Sequence, residues 1–261
     1  MRKVTSRENP AFKAMAKLVA KSSERKRLGL SLIEGDHLLA AYLDSGATPE
    51  EIVVSHRALD DPRLARLVER AAPARVTLLS DALFDSLSGV ESPTGIITCV
   101  RTPPGTRAPA TAPLVLLLED IQDPGNVGTL LRCAAAAGAG HVLLSSRCAF
   151  AWSPKVLRAG MGAHFALNII EDAALDEFVG TYRGTSIALS ADADASIFDL
   201  DLRGPVAFIV GNEGAGVSEP LKVAATRRAR IPMPGRMESL NAGVAGAICL
   251  FEALRQRGAA S

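Results

Sequence analysis

Several features that mark particular classes of protein are missing from this chain. Its apolar runs, such as LVLLLE (114–119), are far shorter than the roughly 20 residues that a membrane-spanning helix needs. No apolar segment follows the basic residues at the N-terminus, as it would in a secretory signal. We therefore expect a cytoplasmic protein with no membrane partner.

Metal-binding patterns are missing as well. The four cysteines show no CxxC spacing, and the four histidines form no ligand pattern. We expect no metal site, and we interpret Cys99, Cys133, Cys148 and Cys249 as small buried side chains in a reducing compartment.

The remaining composition is that of an ordinary globular protein, with 261 residues, a net charge of +1, 48% hydrophobic residues and 22% charged residues. This is enough material for one or two hydrophobic cores. The charge is unevenly distributed, because residues 1–27 hold nine Lys and Arg against two Glu. The N-terminal segment is therefore strongly basic, whereas the rest of the chain is net acidic.

This basic segment (1–27) predicts an amphipathic helix, with Phe12, Met15, Leu18 and Val19 at helical spacing. Clustered Lys and Arg bind phosphates by displacing counterions, so nucleic acid or another acidic partner is the favoured interpretation. Packing of a solvated helix onto its own domain is the alternative. A membrane-surface helix is a weaker third, because the segment lacks Trp and a strong apolar face.

After the basic segment, short β-like runs alternate with helical stretches, which is typical of a mostly parallel α/β sheet. The predicted strands are 30–33, 51–55, 75–79, 95–100, 114–119, 141–145, 165–170, 186–190, 207–210 and 228–231. The predicted helices are 36–45, 61–72, 80–87, 126–138, 154–160, 173–180 and 240–257. Repeated prolines in RTPPGTRAPATAP (101–113) interrupt the pattern. We therefore predict a basic helix (1–27), a smaller α/β domain (28–101), a linker (102–113) and a larger α/β domain (114–261).

A first polar motif follows the strand at 114–119. Its DPGN turn (123–126) uses Pro and Gly to reverse the chain, and Asn126 is suited to cap the next helix. Arg132 follows six residues later in an apolar stretch, where a cation without an anionic partner is costly. A helix cap and a salt bridge are the purely structural interpretations of these two residues.

The second motif, GNEGAG (211–216), follows a strand that reads as buried. Its glycine order is G-x-x-G-x-G and not the G-x-G-x-x-G of a dinucleotide-binding loop, so NAD binding is not favoured. Glycines permit close approach of a flat ligand or of another backbone segment, and Glu213 is the charged group available to face it. A glycine-rich turn with an exposed Glu is the structural alternative.

The third motif begins with a rigid, donor-poor loop from Ile231 to Pro234. Ser239 to Asn241 then open the last helix, and either residue is suited to be its N-cap. Each of the three motifs therefore has a structural explanation when taken alone.

The order and spacing of the motifs carry a family resemblance. DPGNVGTLLRCAAAAGA, FIVGNEGAGVSE and IPMPGRMESLNAGVAGAICLFEA resemble the three signature motifs of the SpoU (TrmH-type) RNA ribose 2′-O-methyltransferases. In the N-terminal half, VTSRENPAFKAMAKL, LIEGDHLLAAYL and SPTGIITCV are similar to the substrate-binding domain of that family. The resemblance covers essentially the whole chain.

The resemblance implies a C-terminal SPOUT methyltransferase domain with a parallel sheet and a deep trefoil knot, after a smaller ribosomal-protein-like α/β domain that binds RNA. It also implies S-adenosylmethionine as the cofactor and a homodimer formed through the SPOUT domain. The positions that match the cofactor-binding residues are Gly211, Ile231, Met233, Ser239, Leu240 and Asn241. The positions that match the catalytic residues are Arg132, Asn126 and Glu213.

The family's usual proposal makes the arginine of the first motif the activating group. Because arginine is effectively always protonated, we interpret Arg132 as a cation that holds the adjacent phosphate and stabilises the forming alkoxide. Asn126 would orient Arg132 or the ribose, and Glu213 would hold the loop or the arginine.

Ribosomal RNA is the predicted substrate, because a separate N-terminal domain with a basic leading helix is more like the branch of the family that modifies rRNA. A tRNA ribose 2′-O-methyltransferase and a catalytically inactive RNA-binding protein are the alternatives. The modified nucleotide is not predicted, because RNA recognition depends on shape and on splayed bases.

Overall fold

The computed structural model of the protein describes residues 1–258, which form two compact units. The first unit contains Met1–Pro103 together with Trp152–Phe165, and the second contains Pro104–Ala151 and the residues from Ala166 onward. Within residues 1–258, no helix combines the length and apolar character that a bilayer span requires. The cytoplasmic location stays a prediction.

The helices and strands follow one another through both units. Those of the N-terminal part are β1 (Arg2–Val4), α1 (Pro10–Ala20), α2 (Ser22–Leu28), β2 (Leu30–Glu34), α3 (Asp36–Asp44), β3 (Glu51–Ser55), α4 (His56–Leu59), α5 (Pro62–Arg70), β4 (Arg75–Leu79), α6 (Asp81–Asp85) and β5 (Ile96–Arg101). Those that follow are β6 (Leu114–Leu118), α7 (Pro124–Ala136), β7 (His141–Leu144), α8 (Pro154–Gly160), β8 (Asn168–Ile170), α9 (Leu175–Thr181), β9 (Thr185–Leu189), β10 (Val206–Val210), α10 (Glu219–Ala224), β11 (Arg227–Ala229) and α11 (Ala242–Gly258).

The sheet of the first unit has the order β1-β4-β3-β5-β2. β1, β4 and β3 are parallel, whereas β5 runs antiparallel to both β3 and β2. Because β2 and β3 are both antiparallel to β5, β2 runs in the same direction as β1, β3 and β4, and the sheet is mostly parallel, as expected, with β5 reversed. Apolar periodicity identifies β5 as a strand but does not encode its direction. α8 packs on β2, so a segment from the C-terminal half of the chain belongs to this unit.

The basic N-terminus forms β1, α1 and α2, not the single helix predicted over residues 1–27. The break falls at Lys21, whose backbone is extended between the two helices. Phe12, Met15 and Leu18 pack into the core of the first unit. Arg25 is buried as well, and its guanidinium donates to the backbone oxygen of Leu18. Packing onto its own domain therefore describes the apolar face of this segment, and only its outward basic side chains remain available to a partner.

The sheet of the second unit is parallel throughout, with the order β11-β9-β10-β6-β7-β8, which confirms the predicted parallel α/β fold. β6 and β10 lie at its centre and are buried along their whole length. Their continuous apolar runs are typical of parallel strands covered on both faces. The trefoil knot stays a prediction.

The proline-rich stretch predicted as a linker contains no helix or strand, and from Pro104 onward it belongs to the second unit. The N–H and hydroxyl groups of Thr106 donate to Oδ1 of Asn168. The hydroxyl of Tyr182 donates to the backbone oxygen of Ala112 at 2.7 Å. Residues 104–113 are therefore held in this unit by these hydrogen bonds.

Candidate active site

The carboxyl ends of β9, β10 and β11 meet at one edge of the parallel sheet. β9 lies between β11 and β10, so the loops that follow the three strands are neighbours. A cavity of about 370 Å³ opens between these loops. Open α/β sheets bind ligands at this edge, and the volume lies in the range of small-molecule pockets.

The loop after β10 folds tightly on itself at Gly211. A Cβ atom added to Gly211 would lie 2.1 Å from the carbonyl carbon of Gly216, so no larger residue fits there. The side-chain oxygen of Asn212 accepts hydrogen bonds from the N–H groups of Gly214 and Ala215, each at 3.0 Å. The sequence indicated that glycines here permit close approach of either a ligand or another backbone segment. Gly211 permits the close approach of backbone.

Helix α7 is capped by Asp123 and not by Asn126. The Asp123 side chain accepts a hydrogen bond from the N–H group of Asn126 at 3.0 Å, and Pro124 is the first residue of the helix. The expectation that Asn126 caps α7 is wrong, because the extended backbone of an N-cap occurs at Asp123. Asn126 lies in the first turn, where only 9% of its surface is exposed, and its side chain is free for other partners.

The side-chain amide of Asn126 joins the second motif to the third. Its Nδ2 donates to Oε1 of Glu213 at 2.9 Å, and its Oδ1 accepts from Nδ2 of Asn241 at 2.8 Å. Glu213 also accepts hydrogen bonds from the N–H groups of Asp123 at 3.1 Å and Gln122 at 3.2 Å. Three segments that are distant in sequence therefore meet at one buried amide, which we call the Asn126 junction (Asn126, Glu213 and Asn241).

The Glu213 carboxyl is held in its charged form at this junction. Partial burial alone would raise its pKa, but the hydrogen bonds from Asn126 Nδ2 and from nearby N–H groups outweigh burial and leave the pKa below its usual value. An ionised carboxylate only accepts hydrogen bonds, which suits a position where several donors converge. Glu213 therefore holds the loop before α7, and none of its hydrogen bonds involves Arg132.

Helix α11 approaches α7 closely beside the junction. A Cβ atom added to Gly246 would lie 2.2 Å from Cδ2 of Leu130, so a larger residue there would force the Leu130 side chain to shift. Asn241 directly precedes α11, and its Oδ1 accepts from the N–H group of Val244 at 3.3 Å. Asn241 thus caps α11 with its side-chain oxygen, as the structural interpretation predicts. Its side-chain nitrogen also donates a hydrogen bond to Asn126.

Arg132 lies on the exposed side of α7. Within residues 1–258 its guanidinium forms no hydrogen bond or ion pair. The apolar neighbours Leu131 and Ala134 face the core, so Arg132 does not incur the desolvation cost that its apolar sequence context suggested. It is a cation available to an anion from outside the chain.

Five of the six residues predicted to bind the cofactor line the cavity, and these are Gly211, Ile231, Met233, Ser239 and Leu240. The sixth, Asn241, lies outside this lining and contacts Asn126. Its direct contact with a cofactor stays a prediction, as do the individual roles of the other residues. Glu213 lines the cavity as well and connects it to α7.

Sequence reasoning missed a polar wall of the cavity. This wall comes from Ser190 to Asp192 after β9, from Lys222 on α10 and from Arg230 after β11. One signal was present in the sequence: Ser190 to Asp192 lie at the end of the strand predicted at 186–190, and parallel strands of one sheet end at the same edge. The order of the strands, which places β9 beside β10, was not available from one sequence.

Comparison with known proteins identifies the family. The sequence matches the SpoU rRNA Methylase family over residues 113–251 and an MRM3-like substrate binding domain over residues 9–98. The chain belongs to the SpoU rRNA methylase family. This confirms the resemblance that the three motifs carried. A relative in Bacillus subtilis, 23S rRNA (guanosine(2553)-2′-O)-methyltransferase RlmP, is 33% identical over 254 residues, or 96% of this chain and 98% of the relative.

Solved structures match this SpoU family member over both units. A crystal structure of an RNA 2′-O ribose methyltransferase is 32% identical, with a TM-score of 0.83 over 98% of this chain and 99% of that chain. The AdoMet-bound rRNA methyltransferase from Sinorhizobium meliloti is 27% identical, with a TM-score of 0.85 over 97% of both chains. The fold predicted for the SpoU resemblance is thus found in proteins of similar length.

Proposed function

We propose that this chain is a ribose 2′-O-methyltransferase that uses S-adenosylmethionine and acts on ribosomal RNA. The observation that carries the proposal is the Asn126 junction, which ties the helix that bears Arg132 to the glycine loop of the cavity. A cavity for the methyl donor and a cation for an RNA phosphate thereby belong to one site.

The cavity suits the shape and chemistry of S-adenosylmethionine. Apolar side chains such as Val210, Ile231 and Leu240 line it, as an adenine ring requires. Ser239 and the backbone around Gly211 supply polar groups on the same wall. A relative of the same fold has been crystallised with this cofactor, which supports the assignment.

Arg132 is the proposed activating residue. When bound, S-adenosylmethionine would supply an electrophilic methyl group on its sulfonium sulfur. Its transfer would break the S–CH₃ bond, form a bond to the ribose 2′-oxygen as that oxygen loses its proton, and leave S-adenosylhomocysteine. Arg132 holds the adjacent phosphate through paired hydrogen bonds and stabilises the negative charge that develops on the 2′-oxygen. Its proton remains in place throughout, so the phosphate or water accepts the proton from the hydroxyl.

Asn126 and Glu213 are proposed as positioning residues. Both polar atoms of the Asn126 amide are engaged by Glu213 and Asn241, and both carboxylate oxygens of Glu213 accept hydrogen bonds. Neither side chain is therefore free to accept the proton of the ribose. Their role is to fix α7, and with it Arg132, relative to the cavity.

Methyl transfer from tritiated S-adenosylmethionine tests the proposal directly. The protein is incubated in parallel with purified ribosomal RNA and purified tRNA, and each RNA is digested to nucleosides. We expect label in 2′-O-methylnucleosides from ribosomal RNA. Label in tRNA alone would overturn the substrate class. Binding of S-adenosylhomocysteine without transfer to either RNA would favour the inactive RNA-binding alternative.

We further propose that the protein acts as a homodimer through its second unit. Val244, Phe251 and Leu254 lie on one face of α11 and remain 47%, 45% and 40% exposed. Neighbouring exposed apolar side chains on one face mark surfaces that other proteins cover. A second copy of the same helix face would bury them symmetrically.

The substitution Phe251→Asp tests this homodimer. A charge placed in an apolar interface is left unpaired, so the dimer dissociation constant should rise at least about a hundredfold, as measured by light scattering over a dilution series. Val223→Asp is the matched control, because Val223 is 77% exposed on α10. A dimer that persists in Phe251→Asp, or a monomeric wild type, would contradict the proposal.

A further inference from the structure

Asp192 is a carboxylate on the cavity wall to which the SpoU resemblance assigned no role. It lies in the loop after β9, the strand that separates β10 from β11. Its side chain lines the cavity and accepts a hydrogen bond from the Ser190 hydroxyl. The loop therefore presents an oriented acceptor at the same sheet edge as the Gly211 loop.

The other charged groups of the cavity are already engaged within the protein. Glu213 accepts hydrogen bonds from Asn126 and from the loop before α7. Arg230 donates to the backbone oxygen of Ala193 at 2.6 Å, and Nζ of Lys222 lies 3.8 Å from Glu219. Among residues 1–258, Asp192 takes part in no ion pair within 4.0 Å. It is the carboxylate of this wall that has capacity left for a ligand.

Asp192 is ionised at neutral pH. The hydrogen bond from Ser190 lowers its pKa most, followed by its own backbone N–H group and by the positive charges of Lys222 and Arg228. An ionised carboxylate has acceptor sites only, so its natural partners are hydroxyl or ammonium groups.

We propose that Asp192 accepts hydrogen bonds from the ribose hydroxyls of the adenosine part of the cofactor. An acidic residue at the end of a parallel strand, beside a strand that ends in a glycine loop, holds ribose hydroxyls in dinucleotide-binding sheets. β9 and β10 reproduce this relation, with Asp192 after one strand and Gly211 after the other. The inference rests on the cofactor proposed above and adds a specificity residue to its site.

Calorimetric titration with two ligands tests the assignment without relying on activity. S-Adenosylhomocysteine and 5′-methylthioadenosine share adenine and ribose, but only the former carries an amino acid. We expect Asp192→Ala to weaken both by the same factor, about tenfold to a hundredfold, since a hydrogen bond to a charged group is lost. Asp194→Ala is the matched control, because its carboxylate lies two residues away and does not line the cavity.

A third ligand, 2′-deoxy-5′-methylthioadenosine, ties the effect to the ribose. The wild type should bind this 2′-deoxy ligand more weakly than 5′-methylthioadenosine, whereas Asp192→Ala should bind the two ligands with similar affinity. Unchanged affinities in Asp192→Ala would overturn the inference, and weakening of S-adenosylhomocysteine alone would assign the carboxylate to the amino-acid end instead. A wild type that binds none of the ligands would refute the cofactor itself. Thermal unfolding of each variant verifies that it is folded.

Discussion

The two sides of the candidate active site are built from different parts of the chain. On the cavity side, backbone packing at Gly211 and apolar side chains such as Ile231 and Leu240 form the wall. On the α7 side, the polar groups are the buried amide of Asn126 and the exposed guanidinium of Arg132. The cavity side constrains volume, whereas the α7 side constrains charge and hydrogen bonding. Substitutions should therefore separate cofactor binding from methyl transfer.

The largest effect is expected on the α7 side, from Arg132→Ala. Methyl transfer to RNA should fall by about a hundredfold to a thousandfold, as it does when an enzyme loses a group that stabilises a developing oxyanion. Affinity for S-adenosylhomocysteine in calorimetry should stay unchanged, because Arg132 does not line the cavity.

Arg183→Ala is the matched control for Arg132→Ala. Arg183 is also an exposed cation of the second unit, and its only hydrogen bond among those found in residues 1–258 is made by its backbone N–H group. The control should retain methyl transfer. Loss of cofactor binding in Arg132→Ala would show that this arginine has a structural role, and the contrast between the two sides would fail.

On the cavity side, Gly211→Ala should act mainly on cofactor binding. The added methyl group meets the Gly216 backbone, so the loop must shift, and such overpacking costs about 1–3 kcal/mol. Affinity for S-adenosylhomocysteine should fall about tenfold or more. Gly235→Ala is the control, because a Cβ atom at Gly235 meets no atom within 4 Å. Equal affinities in the two variants would show that the shape of the loop does not limit binding.

The cavity side was also the side that the sequence predicted best. Close packing favours glycine at Gly211, and an apolar cavity wall favours apolar residues at Ile231 and Leu240. The residue types at these positions therefore indicate the local structure. The cap of α7 was missed because DPGN contains two good capping residues. Proline is favoured at the first helical position, which indicates that the residue before Pro124 is the cap.

Tertiary information limited the rest of the prediction. The loop that carries Asp192 joins the site only because β9 lies beside β10, and strand order depends on contacts between distant segments. The same limit applies to the first unit, where β5 is antiparallel and Trp152–Phe165 joins a unit formed mainly by residues 1–103. Local periodicity contains neither relation.

Glu213 links the two sides, and Glu213→Gln should affect both moderately. Glutamine keeps the size of the side chain but replaces one carboxylate oxygen with an NH₂ group. That group would face an N–H donor of the loop before α7 or Nδ2 of Asn126, so a hydrogen bond is lost. We expect methyl transfer to fall about tenfold, since an unsatisfied hydrogen bond at such a site costs about 1–3 kcal/mol. Unchanged transfer would mean that the junction does not position Arg132.

The smallest effect is the pH dependence that Glu213 contributes to stability. Its pKa in the folded protein lies below the usual value of 4.5, so the carboxylate stabilises the fold at pH values above 4.5. That contribution is lost as the pH falls through the lowered pKa. The difference in melting temperature between the wild type and Glu213→Gln should therefore be constant from about pH 8 to pH 6 and should shrink only under acidic conditions. A wild type that instead gains stability relative to Glu213→Gln as the pH falls from about 6 towards 4.5 would show that burial, which raises the pKa, dominates this carboxyl group.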